Sequence, residues 1–136
     1  MIMRDSKGDV IFLACRQLFN CADAVEAELA ALEEGLNLAL HWTPLPIVVE
    51  TDCAEACLLI EEKTPNTSMY STRVRGIREL MRERVTSIAR ISRDANIVSH
   101  ELAKYGRGEP RMAVWLSNFP QEVCRYITAD CNPIIF

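Results

Sequence analysis

Two carboxylates stand where an α/β protein would do chemistry. Asp52 closes the stretch Leu45-Pro46-Ile47-Val48-Val49-Glu50-Thr51-Asp52, whose β-branched run predicts a strand buried on both faces of a sheet. Ligands of such sheets gather beyond the carboxyl ends of the strands, which is where Asp52 sits. A strand-end Asp can equally cap the helix that follows it. Glu28 lies in a helical segment, beside its apolar stripe rather than opposite it, and spacing alone reads it as a boundary carboxylate. Arg75, Arg78 and Arg82 recur at i, i+3 and i+7, a basic stripe that could follow a phosphate backbone or form a solvated face. Cys53 and Cys57 are four apart and could share a helix face. No second pair stands at zinc-finger spacing, and His41 and His100 are the only imidazoles, so a structural zinc is not expected.

The elements that position these residues follow from periodicity. Residues 2–4 and 10–16 are apolar stretches separated by Asp5-Ser6-Lys7-Gly8-Asp9, whose Asp, Ser and Gly predict the turn of a β-hairpin. Residues 23–40 carry Val25, Leu29, Leu32, Leu36 and Leu40 at spacings of three and four, the apolar stripe of a long helix that Asn20 or Asp23 could cap. Pro44 and Pro46 separate it from the strand. Residues 54–62 read as a short helix, ended by Lys63-Thr64-Pro65-Asn66. Residues 69–84 form a helix with Val74, Ile77 and Met81 on one face and the arginines on another. Residues 85–91 read as a strand, and Asp94 can cap a helix over 95–105. After the break Gly106-Arg107-Gly108-Glu109-Pro110, the tail holds Val114-Trp115-Leu116, a short helix over 121–128, and Ile134-Ile135-Phe136. Such apolar and aromatic content predicts a segment packed on the domain or on a partner.

The 136 residues suffice for one domain with a sizeable core, and the composition is that of a globular chain. A net charge of −4 argues against strong non-specific nucleic-acid binding. No apolar run approaches the roughly 20 residues of a membrane span, and the start has no secretory h-region. The expected location is therefore cytoplasmic or nuclear, not secreted, with the six cysteines as thiols.

The order hairpin, long helix, strand ending in Asp, helices, strand, helix resembles a ribonuclease H domain. Its residues resemble the plant, retrotransposon-derived, reverse-transcriptase-like branch of that superfamily. They are Met3-Arg4-Asp5-Ser6-Lys7-Gly8 at the first turn and Ala27-Glu28-Leu29-x-Ala31-Leu32-x-x-Gly35-Leu36-x-Leu38-Ala39 in the helix. Val49-Glu50-Thr51-Asp52 follows at the strand end, then Ser92-Arg93-Asp94-Ala95-Asn96-x-x-Ser99-His100-x-Leu102-Ala103-Lys104 at the last strand-to-helix junction. The resemblance implies an α/β, ribonuclease H-like fold, a mixed sheet flanked by helices. It also implies Mg²⁺-dependent cleavage of the RNA strand of an RNA–DNA hybrid, with two ions held by converging carboxylates. The family supplies an Asp on its first strand, a Glu on the first helix, an Asp ending the fourth strand and an Asp on the last helix. Glu28 matches the helix Glu, Asp52 the strand-end Asp, and His100 stands at the last position, where an imidazole is a poor ligand for Mg²⁺. The first Asp has no counterpart, because the chain begins after the point where that strand should be.

In the family's sheet that first strand is central, between the strands that here would be 2–4 and 47–50. Without it two rows of backbone groups lack partners, an invitation to pair with another chain. The two strands could also close on each other, or a segment of this chain could fill the slot. The expectation is thus a domain over 1–108 lacking its first, central strand, with 109–136 as an apolar C-terminal extension. It is expected to be catalytically inactive, without a cofactor, and to act through a protein partner or homodimer at strands 2–4 and 47–50. The alternatives are a hybrid nuclease using Glu28, Asp52 and His100 with Mg²⁺, or a non-cleaving nucleic-acid binder using Arg75, Arg78 and Arg82.

Overall fold

The computed structural model describes residues 1–18, 20–63, 67–108 and 112–130. The chain divides into two compact units, one made of residues 1–17 and 93–136, the other of residues 18–92. Helices accompany strands of both senses, the α/β arrangement expected from the sequence.

In the first unit, β1 (Ile2–Arg4) and β2 (Val10–Cys15) form the expected hairpin. Asp5 organises its turn: its Oδ1 accepts from the Lys7 and Asp9 amides, both at 2.9 Å. Gly8 takes φ 90°, a left-handed backbone that a Cβ would strain. β2 also pairs antiparallel with β5 (Ala113–Trp115), giving the order β1-β2-β5. The sequence marked 114–116 as apolar without assigning a strand. Three residues are too few to show a period of two.

Helices α4 (Ile97–Gly106) and α5 (Gln121–Asp130) pack on each other, and α4 on β2. Leu13, Cys15, Val98, Leu102 and Val123 form the buried cluster between them. Gly106 permits the close approach, since a Cβ there would stand 3.2 Å from that of Cys15. Arg4 ties the hairpin to α5, donating to the carbonyls of Gly8 and Ile127, both at 3.1 Å. The expected Asp94 cap is not how α4 begins. A 3₁₀ turn, Arg93–Asn96, leads into it and Asn96 is its N-cap, with no side-chain cap bond. The Ile134-Ile135-Phe136 segment lies outside the described residues.

In the second unit, α1 (Ala24–Trp42) begins at Asp23, whose Oδ1 accepts from the Glu26 amide at 2.8 Å. Glu26 answers by accepting from the Ala22 amide at 2.6 Å. The stripe Leu29, Leu32 and Leu36 is buried as its spacing requires, with Ala30 and Ala39 beside it. β3 (Ile47–Thr51) and β4 (Thr86–Arg90) form a two-stranded parallel sheet. Helices α2 (Ala54–Glu61) and α3 (Ser71–Arg82) join α1 around a core that includes Ile47, Ala56, Ile60, Val74 and Ile77.

Two arginines close helix ends in this unit. Arg84 donates to the carbonyls of Leu40 and Thr43 at the end of α1. Arg78 donates to those of Leu59, Ile60 and Glu62 at the end of α2, at 2.7, 3.0 and 2.6 Å. These are carbonyls that a helix terminus leaves without partners.

One sequence expectation about β3 fails. Ile47 and Thr51 are buried, but Val48 is 63% exposed and Glu50 is exposed as well. Among the described residues β3 pairs with β4 alone, and the face that carries Val48 and Glu50 is exposed. The antiparallel strands and the parallel pair form separate sheets, with β1 and β3 each at an edge.

Candidate functional site

The carboxyl end of β3 leads into Asp52 and is tied to Glu28 of α1. Glu28, one turn into α1, accepts a hydrogen bond at 2.5 Å from the hydroxyl of Thr51, the last residue of β3. Thr51 is fully buried, and its Oγ1 in turn accepts from the Cys53 amide at 3.1 Å. One hydroxyl therefore joins the α1 carboxylate to the N-cap residue of α2. Asp52 follows immediately and is half-buried. It is not the cap of α2: Cys53 holds that place without a side-chain cap bond, and Thr51 serves the amide instead. Sequence reasoning passed over Thr51. Its signal was a Thr directly ahead of a helix start, where a hydroxyl readily accepts from an amide two residues on.

Cys57 lies one helical turn beyond Cys53 and is buried. Burial pushes its thiol up, with smaller contributions from Glu61 and Cys53 and a weak opposing one from Arg90. Both cysteines are free thiols.

His100 stands on α4, half-buried, in the other compact unit. In the unit that holds Glu28 and Asp52, one oxygen of Glu28 is engaged by Thr51. Among the described residues no group of three or more His, Cys, Asp or Glu side chains could hold a metal ion. A pair of hard Mg²⁺ ions requires several converging oxygen donors, and this donor set does not fit them.

The basic stripe of α3 is unequal in the structure. Arg75 and Arg82 are exposed, whereas Arg78 is turned onto the end of α2. Arg73, on the flank of the apolar stripe away from the other three arginines, pairs with Glu33 of α1 at 2.6 Å. Gly76 admits that approach, because a Cβ would come within 2.7 Å of Glu33 Oε1. At the N-terminal end of the same helix, the Tyr70 hydroxyl donates to Asp23, the α1 cap. That bond lowers Asp23 from the ordinary carboxylate value and pushes Tyr70 up to about 12.

No helix among the described residues is long and apolar enough to cross a membrane. No curated protein and no solved structure matches the chain significantly. The family model described as reverse transcriptase-like matches residues 1–106, which takes in β1, β2, the Glu28 helix, the Asp52 strand end and the His100 helix. By that match, over more than half its length, the chain belongs to the reverse transcriptase-like, ribonuclease H-like family.

Proposed function

We propose that this chain is a non-cleaving ribonuclease H-like module that works through protein–protein contacts made at its sheet edges. The observation that carries this reading is β3, a strand of a two-stranded sheet with one side open among the described residues and Val48 63% exposed. An apolar, uncovered edge strand is a template for a strand from another chain. β1 offers a second edge, since β2 is its one strand neighbour among the described residues. The two-carboxylate site supports the absence of cleavage, because phosphodiester hydrolysis by this family's chemistry depends on ions that the donors present do not fit. Within the family, the motifs around Asp5, Glu28, Asp52 and Asp94 favour the retrotransposon-derived plant branch. We take 1–108 as the domain and 109–136 as an extension packed on it, a reading supported by β5 pairing with β2 and α5 packing on α4.

A photocrosslinking residue at position 48, introduced into the full chain in cells, tests the edge. The reading expects a protein adduct from position 48 and none from exposed Glu79. No adduct at 48, or an adduct equally frequent at 79, contradicts it. A second reading, nucleic-acid binding without cleavage, is favoured by exposed Arg75 and Arg82. Its signature is affinity for an RNA–DNA hybrid that falls steeply with salt and is lost in Arg75→Glu/Arg82→Glu.

A further inference from the structure

We infer that the open edge of β3 takes an extended segment of a different protein, one that sets a basic residue opposite Glu50 and apolar residues opposite Val48 and Val49. The inference rests on the edge reading above and adds the chemistry of the occupant.

The direction of the backbone groups fixes where such a segment would bond. The Ile47 amide donates to Val85 and the Thr51 carbonyl accepts from Ile91, both at 2.9 Å, so residues 47 and 51 turn their backbone toward β4. In a strand, alternate residues turn to alternate sides. Val48 and Glu50 therefore present N–H and C=O to the open side. Pro46, two residues earlier, has no N–H and ends the donor row. The edge is short: two amides and their carbonyls, bounded by a proline.

The side chains beside those groups set the chemistry. Val48 and Glu50 share the exposed face, and Leu45, 65% exposed, precedes them. A residue opposite Val48 meets an apolar surface, one opposite Val49 faces the half-buried side, and one opposite Glu50 meets a carboxylate. Asp52 adds a second carboxylate just beyond the strand. The edge thus grades from apolar to acidic along its direction. A parallel occupant reads apolar-apolar-basic, and an antiparallel one basic-apolar-apolar.

A second copy of this chain suits the edge poorly. A two-fold pair must run antiparallel. With Val48 opposite Glu50 of the other copy, both hydrogen-bonding residues are used, but the two Glu50 carboxylates lie diagonally on one face and no basic residue of β3 offsets them. With Val48 opposite itself, Glu50 falls opposite Pro46, which cannot donate. The absence of a cation on β3 makes a basic partner the complement.

The test uses the full chain and two synthetic peptides, acetyl-Thr-Val-Thr-Val-Val-Lys-Thr-amide and the same sequence with Glu for Lys, together with their reversed sequences. Binding is followed by amide chemical shifts of the labelled protein. The expected result is that a Lys peptide binds about five to ten times tighter than its Glu counterpart, the scale of one cross-strand charge pair reversed. Slowed exchange of the Val48 and Glu50 amides is expected on binding, and Glu50→Lys inverts the ranking. Equal affinity of Lys and Glu peptides, with those amides still protected, overturns the charge inference and leaves the edge reading standing. Binding of no peptide, with Val48 and Glu50 unprotected, overturns both. A concentration-dependent dimer that protects the two amides without any peptide shows the second copy to be the occupant and refutes the inference.

Discussion

Replacing Arg78 by Met separates the structural arginine of the α3 stripe from its neighbours. Met keeps most of the aliphatic stem and removes only the guanidinium. The change deletes three charge-assisted hydrogen bonds, to Leu59, Ile60 and Glu62, at the negative end of α2. Buried bonds of this kind contribute about 1.5–3 kcal/mol each. Here water can reach the carbonyls once the side chain is gone, and the Glu62 amide still donates to Leu58, so the helix keeps one closing bond. About 1 kcal/mol per bond is the appropriate scale, and the expected loss is about 2–3 kcal/mol in all. Arg75→Met and Arg82→Met should each stay within about 0.5 kcal/mol of the parent. Arg78→Lys should recover only part of the loss, since one ammonium cannot span three carbonyls as a planar fork does. Urea unfolding followed by far-UV circular dichroism reads all four variants. A loss at Arg78→Met below about 0.5 kcal/mol, or equal to that of Arg75→Met, would refute the capping role and restore a three-arginine surface.

Thr51→Val should cost about 1–3 kcal/mol by thermal melting, because an isosteric methyl leaves the Cys53 amide without its acceptor and Glu28 without a donor, whereas Thr51→Ser should recover most of it. Gly106→Ala should destabilise by about 1–3 kcal/mol through the clash with Cys15, and full stability would show that α4 can shift away from β2. Asp23 is lowered from 3.8, so its contribution is present above that value and lost as pH falls through the lower folded value. Tyr70 is raised from 10.0 to about 12, so its contribution is complete below pH 10 and lost as pH rises through about 12. Tyr70→Phe should therefore remove stability between those limits and abolish one phenol transition near pH 12; loss of a transition near pH 10 instead would show that the Tyr70–Asp23 bond does not form.

The helices and the hairpin were legible because their signals are local. The α1 stripe, the Asp23 cap and the Gly8 turn each rest on residues a few positions apart, and each stands where the sequence placed it. What the sequence could not reveal depends on which elements meet. Ile47-Val48-Val49 has the composition of a central strand, but composition does not report how many neighbours a strand has, and Val48 is exposed. The arginine stripe obeyed helical spacing, yet only the placement of α2 shows that Arg78 is spent on its carbonyls. Glu28 and Asp52 were legible through the family motif. Thr51, which engages the first of them, stands inside the motif Val49-Glu50-Thr51-Asp52 without a ligand's role there, and its contact with Glu28 became visible only when α1 and β3 were brought together.

The most direct measurement is cleavage of an RNA–DNA hybrid in Mg²⁺ by the purified full chain, run beside Asp52→Asn and Glu28→Gln. The two-carboxylate site predicts hydrolysis no faster for the parent than for either variant. Parent activity that disappears in both variants would contradict it and show that Glu28 and Asp52, with whatever completes them, hold a working metal site.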